Sequence, residues 1–403
     1  MEMQVPRRAW RWCPLAVVAA LALVPPRPAA QSAGGAILTV EPLTSPAGAD
    51  SMAPQLTVSA DRIILSWLET KHHATLKYAE RTPSGWSVAD TVVSGENVVA
   101  NWADVPSVRA LGDGRLIAQW LEKNGPDPEA YDLRLSMSAD RGRTWTPLRS
   151  PHGDRTKTQH GFASLFEQGA AGFGIVWLDG RETAKAGGAM TLRATRYEGP
   201  EGGGEAVVSS RVCDCCPTAA AATSDGAIVA FRNRTAGEIR DIYTARWDGR
   251  AWSAPAPVHD DGWTINGCPV NGPALAARGR DVAVAWFTGA GGAGRAWAAF
   301  SSDAGRTFGQ PVRIDDEGST GRVQVAWLKD GAAVVSWVEF AKGPSQLRVR
   351  RVTKRGDRSP PVTIAHGVGT QFPRMAAARD EIVFAWIENS RGSSRVRTAR
   401  AKM

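Results

Sequence analysis

Cysteine is scarce in this chain, five residues in 403, yet three of them fall in the run Val212-Cys213-Asp214-Cys215-Cys216-Pro217. A fourth stands in Ile265-Asn266-Gly267-Cys268-Pro269-Val270-Asn271-Gly272-Pro273. Thiols gathered this way have three chemistries open to them. They can close into disulfides, and four cysteines allow three pairings. They can hold a soft cation, thiolate-bound Cu or Zn, although Cys-x-Cys-Cys lacks the paired Cys-x-x-Cys spacing of structural zinc sites. They can also work as an exposed redox pair. Two disulfides are the plain expectation, because removing Cys13 with an N-terminal export signal leaves an even number of thiols in an oxidising compartment.

A second set of polar side chains recurs at fixed positions. Glu69, Glu122, Asp179, Glu339 and Glu388 each follow a tryptophan by two residues. Two of these carboxyls set close together could act as acid and base in cleaving a glycosidic bond. Five copies exceed any catalytic need, so the structural expectation is that each acid bonds a backbone amide or an arginine of a neighbouring repeat. Around them lie His72, His73 and His160, the arginines Arg181, Arg232, Arg234, Arg322 and Arg374, and Trp102, Asp104, Gln371 and Asn271. No catalytic residue can be named from this set.

The elements that must position these residues are repeats. The aromatic anchors Trp67, Trp120, Trp177, Phe231, Trp286, Trp337 and Trp386 are spaced 53, 57, 54, 55, 51 and 49 residues apart. Each copy reads as four short strands. The first is often opened by proline (Pro54, Pro106, Pro217, Pro273, Pro373), where no ladder hydrogen bond is lost. A tight polar turn such as Gly112-Asp113-Gly114 leads into the anchor strand, and two further strands follow. Seven such units predict an all-β, seven-bladed β-propeller of four-stranded antiparallel blades. The last copy has room for only three strands. Ala36–Pro42, ahead of the first copy, supplies the missing strand and closes the ring.

In a propeller, the loop after each second strand and the segment leading into each first strand open on one face. The topology therefore gathers the acids, histidines, arginines and cysteines on a single top face. The candidate site is Glu69, His72, Trp102, Asp104, Glu122, His160, Asp179, Arg181, Arg232, Arg234, Asn271 and Arg322, with Cys213, Cys215, Cys216 and Cys268 beside it.

Two copies carry one further motif between their third and fourth strands. Ser138-Ala-Asp140-Arg-Gly142-Arg-Thr144-Trp145 and Ser301-Ser-Asp303-Ala-Gly305-Arg-Thr307-Phe308 fit Ser-x-Asp-x-Gly-x-Thr-aromatic. The motif resembles the Asp box of the sialidase-like (BNR repeat) β-propeller superfamily, over roughly residues 37–403. The resemblance implies that the boxes are structural and lie opposite the active face. It also implies an arginine triad, a tyrosine nucleophile supported by a glutamate, and an aspartate acid/base. This chain departs from that pattern. It has no Arg-Ile-Pro in the first repeat, and it has seven repeats where sialidase catalytic domains have six blades. All four tyrosines, Tyr78, Tyr131, Tyr197 and Tyr243, precede residue 250, whereas the family nucleophile comes late. A non-sialidase member of the superfamily is expected.

Residues 1–30 read as a signal peptide, with Arg7, Arg8 and Arg11 ahead of an apolar run, Pro14–Val24, too short to span a bilayer. Residues 31–403 form one domain, secreted or periplasmic, with no stable membrane span after cleavage and a monomeric state. The formal charge of +8 is spread among interleaved acids and bases, which excludes a nucleic-acid partner. The expected activity is binding of a glycan, peptide or partner protein at the cysteine-rich face. The alternatives are a glycoside hydrolase of non-sialic-acid specificity, or a metal- or redox-linked periplasmic protein.

Overall fold

The computed structural model describes residues 38–340, 343–368, 371–390 and 392–402; the expected signal segment lies outside them. Seven antiparallel sheets follow one another along the chain, and in the first six neighbouring strands come in sequence order. The first blade is built from Ser51–Ser59, Arg62–Glu69, Ala74–Thr82 and Asp90–Gly95, with Gly85–Trp86 as a small extra ribbon. The seventh holds Arg374–Ala378, Glu381–Ser390 and Ser393–Lys402, and its fourth strand is Val40–Leu43. Val40 stands opposite Ala401 and Leu43 opposite Thr398, so the ring closes with a strand from the other end of the propeller. Among the described residues the one helical element is the single turn Ala290–Gly292, and no helix is long and apolar enough to cross a membrane.

The second strand of each blade is covered on both faces, which is why it reads as a continuous apolar run rather than an alternating one. In Ala333–Glu339 every residue is buried. The core is a set of layers between adjacent blades, and each anchor faces the preceding blade. Trp67 packs on Ala376, Val383 and Ala385 of the seventh blade. Trp177 packs on Leu121, Leu133 and Leu135 of the second. Trp337 packs on Ala296 and Ala298 of the fifth.

The acids after the anchors are structural, but their partners lie within the same blade. In four of the five copies the tryptophan indole N–H donates to its own acid: Trp67 to Glu69 at 3.1 Å, Trp120 to Glu122 at 3.0 Å, Trp177 to Asp179 at 2.8 Å and Trp337 to Glu339 at 2.6 Å. The residue paired across from each of these anchors on the third strand is basic: Lys77, Arg134, Arg193 and Arg348. Arg397 stands the same way opposite Trp386. These cations close on the acids, as in Lys77–Glu69 at 2.9 Å and Arg348–Glu339 at 2.7 Å. Blades four and five, whose anchors Phe231 and Trp286 are not followed by an acid, pair them with Tyr243 and Trp297 instead.

Both Asp boxes form the expected local network. The Asp140 carboxylate accepts from the Thr144 amide at 2.9 Å and hydroxyl at 2.7 Å, and Ser138 accepts from the Gly142 amide at 2.7 Å. These bonds hold the Asp140 carboxyl down at about 2. Asp303 repeats the pattern with Thr307 and Ser301 with Gly305. Gly142, at φ +87°, allows close approach: a Cβ there would sit 1.7 Å from the Tyr78 hydroxyl of the first blade. Trp145 meets the same tyrosine edge to face at 6.0 Å. Lying between third and fourth strands, the boxes are on the face opposite the cysteines.

The proline rule holds at four of five positions. Pro54 instead sits inside Ser51–Ser59, at a bulge between Met52 and Gln55. The innermost strands of blades three and six bulge at the same level, between Gly161 and Ser164 and between Gly321 and Gln324. Ala53, Phe162 and Arg322 take positive φ there, at 51°, 49° and 56°. Bulges re-aim side chains at the rims of sheets, and these three lie where the central channel meets the top face.

Candidate functional site at the top-face mouth

The innermost strands of all seven blades enclose a channel of about 190 Å³, with Gln55, Arg109, Ser164, Thr218, Gln324 and Arg374 among its polar wall. At its upper end an aromatic and cationic cluster is assembled. Trp102, 39% exposed, stacks on Phe372 at 6.1 Å. The Arg322 guanidinium lies over both rings, 4.2 Å from Phe372 and 5.4 Å from Trp102. Arg374 approaches Phe372 at 5.3 Å. Asn271 locks the sixth blade to the fifth: its carbonyl oxygen Oδ1 accepts the Arg322 amide at 3.0 Å, and its Nδ2 donates to Thr320.

Charge at this mouth is unbalanced. Among the described residues, no carboxylate pairs with Arg232, Arg322 or Arg374. Arg232 is 2% exposed and donates only to main-chain carbonyls, those of Asn271 at 2.9 Å, Phe287 at 2.8 Å and Arg240. Arg374 donates to the Pro54 carbonyl and Arg322 to that of Val270. Burial pulls the Arg322 and Arg374 guanidiniums down to about 10, and Arg374 is further lowered by Arg322 beside it. Buried charges are ordinarily paired. Here main-chain carbonyls take the place of a counter-ion for Arg232 and Arg374.

The cysteines border this cluster. The structure places a disulfide between Cys215 and Cys268, fastening the lead-in segments of blades four and five. Of the pairings left open, Cys268 takes Cys215, and Gly272 lets the two segments lie close: a Cβ there would stand 1.9 Å from the Pro217 carbonyl. The second expected bridge is not closed. Cys213 and Cys216 are buried free thiols with their sulfurs 3.0 Å apart, and these two do stand at Cys-x-x-Cys spacing. A copper or zinc ion fits poorly here. Two of the four sulfurs are tied up, no histidine joins the group among the described residues, and the nearest charged neighbours are cationic: Arg240 donates to Cys213 at 3.4 Å.

Other candidates fall elsewhere on the face. His160 is wholly buried under blade three, stacked on His152 at 3.9 Å, with Asp154 at 3.2 Å and Asp179 at 3.8 Å from its Nε2. Arg181 grips Asp179 through two bonds of 2.7 Å and reaches Glu205 at 2.8 Å. This is an ionic network in which the Asp154 Oδ1 and Arg193 Nε atoms are buried without a hydrogen-bond partner. Arg234 is likewise engaged, by Glu238 and Asp214. Asp104 is buried and bonded by the Tyr131 hydroxyl at 3.2 Å; burial pushes its carboxyl up to about 7. Glu69 and Glu122 belong to the anchor motif, and His72 is exposed on the turn after the first anchor, so none of the three joins the mouth. Sequence reasoning missed Phe372, Arg240, His152 and Asp154. Phe372, next to Pro373 at the start of a blade, is the only one whose position in the repeat marked it.

No family model and no curated relative matches the sequence. Similar folds are found among solved structures. A protein of unknown function from Dyadobacter fermentans superposes with TM-score 0.50 and 13% identity, over 91% of this chain and 98% of that one. The polysaccharide lyase Uly1 superposes with TM-score 0.54 and 10% identity, over 87% and 90%. The NanB sialidase from Streptococcus pneumoniae, at TM-score 0.45 and 13% identity over 88% and 68%, is too loose a match to argue from. Likeness at these identities speaks for architecture and not for reaction. With seven four-stranded blades and two formed Asp boxes, the chain is a seven-bladed β-propeller in fold.

Proposed function

We propose that the protein is an exported propeller that binds an anionic glycan at the top-face mouth, without cleaving it. The observation that carries this is the pair Arg322 and Arg374, side by side without carboxylate partners around the Phe372 and Trp102 rings at the channel opening. Guanidinium forks suit carboxylate and sulfate groups, and an exposed tryptophan suits the apolar face of a sugar ring. The polysaccharide lyase among the structural neighbours supports a carbohydrate ligand. The disulfide and the N-terminal sequence support export.

Hydrolysis has no comparable support. It needs two accessible carboxyls about 5–10 Å apart. Of the top-face acids weighed for that task, Glu69, Glu122 and Asp179 are each held by a tryptophan indole and a cation, and Asp214 is paired with Arg234. Asp104 lies buried below the surface.

Titration calorimetry with uronate-bearing, sulfated and neutral oligosaccharides of equal length tests the reading. Binding of the acidic sugars only is expected, weakened at least tenfold by Arg322→Gln and by Trp102→Ala, with no shortening of the sugar. Equal binding of neutral sugars, or acidic-sugar binding untouched by both substitutions, would refute it.

A further inference from the structure

Cys213, Cys215 and Cys216 hold their sulfurs within 4.8 Å of one another, and this crowding separates an outer pair from an inner one. Cys268 is exposed and Cys215 half-buried, so the bridge between them can be met from solvent. Cys213 and Cys216 are each 1% exposed and lie directly behind it. The inner pair has a cationic setting. Arg240 donates to Cys213 at 3.4 Å, and Arg232, which has no carboxylate partner among the described residues, lies close by. The two inner thiols are driven apart in acidity. Hydrogen bonding from Cys216, helped by the Cys215 amide and the arginines, draws Cys213 down to about 6, while burial pushes Cys216 up.

We propose that the four cysteines form a two-tier thiol–disulfide relay, in which reducing equivalents from an external dithiol enter at the exposed Cys215–Cys268 bridge and come to rest on the buried Cys213/Cys216 pair. In the fully oxidised protein both pairs are bridged. An external thiolate attacks the Cys268 sulfur, Cys215 leaves, and the second external thiol resolves the mixed disulfide, leaving Cys215 and Cys268 reduced. The Cys215 thiolate then attacks the Cys213 sulfur, and Cys216 leaves and takes up the proton that Cys215 gave up. Cys268, after losing its own proton, attacks Cys215. That restores the outer bridge and releases Cys213 as a thiolate beside Arg240. The internal steps move two electrons inward and need no further oxidant. The end state, outer pair bridged and inner pair reduced, is the arrangement the structure holds. The relay is independent of what the mouth binds.

The experiment uses the full chain, oxidised and then reduced with one equivalent of dithiothreitol, quenched in acid, and mapped by differential maleimide labelling. At pH 8 label is expected on Cys213 and Cys216 at least tenfold over Cys215 and Cys268. The preference should shrink below pH 6, where Cys213 takes up its proton. Arg240→Met should reduce it several-fold at pH 8, with Arg240→Lys restoring part. Label that stays on Cys215 and Cys268 while the inner bridge survives would overturn the relay. So would a wild-type distribution identical at pH 5 and pH 8, a result that needs no variant to fold.

Discussion

The acid that follows each anchor tryptophan should be worth very different amounts in different blades, although the motif is the same. The Glu339 side chain is 3% exposed and accepts from the wholly buried Trp337 indole at 2.6 Å and from Arg348 at 2.7 Å. Glu339→Ala leaves an indole N–H without an acceptor and a largely buried guanidinium without its charge partner. An unmet buried donor costs about 1–3 kcal/mol, and breaking a buried ion pair costs about 3–5 kcal/mol in all. The expected loss is therefore about 4 kcal/mol. Glu388 occupies the same place in the seventh blade, but its side chain is 49% exposed and that of its partner Arg397 is 44% exposed. Solvent screens that pair to about 0–1 kcal/mol. Glu339→Gln should fall between the two, since it keeps an acceptor for the indole and loses the charge. Urea unfolding at pH 7, followed by tryptophan fluorescence, measures all three. If Glu388→Ala costs as much as Glu339→Ala, burial does not set the value of the motif and the reasoning fails.

Three further outcomes follow. Asp104 titrates at about 7 in the folded chain against 3.8 for a free side chain. The folded state therefore favours its protonated form, and stability should decline as pH rises from about 4 to about 7. Asp104→Asn should match the wild type at pH 4, exceed it at pH 8, and flatten that part of the profile of thermal midpoints; a profile unchanged by the substitution would contradict this. Gly142→Ala drives a methyl into the Tyr78 hydroxyl at positive φ and should cost about 3 kcal/mol or more. Gly249→Ala, at φ +98° with nothing within 4 Å, should cost about 1 kcal/mol, and equal losses in urea would show that contact with Tyr78 is irrelevant. Deleting residues 38–43 exposes the edge of Ser393–Lys402. Concentration-dependent light scattering should follow, and a monodisperse deletion variant would count against the closing role of that strand.

The blade count could be read from the chain because it rests on local chemistry repeated at even intervals. An aromatic residue buried between sheets with a polar turn before it leaves the same trace seven times, even where Phe231 replaces the tryptophan, and an acid after it marks five of the seven. The Asp boxes were legible for the same reason, since their hydrogen bonds run within eight residues. The mouth was not. Trp102, Arg322 and Phe372 come from three different blades, and Arg322 is aimed by a bulge at which it takes a left-handed backbone conformation. Bulges of this kind leave no periodic signal. The acids were legible as structural, but not their partners: the expectation was an arginine of a neighbouring repeat, whereas the cation that meets each one stands on the next strand of the same blade, about ten residues further on.

Ring closure by Val40–Leu43 has a consequence for how the molecule is made. That strand leaves the ribosome some 350 residues before its partners at Thr398–Ala401. Six blades can be completed as they emerge, each on its predecessor. The first blade must meanwhile wait with its outer flank bare until the seventh docks. Contacts this remote in sequence form late and slowly, and until they form the waiting flank is the surface a chaperone would have to cover. A chain cut short inside the last blade would keep six sound sheets and still never seal, so the final hydrogen bonds act as a check that synthesis reached that point.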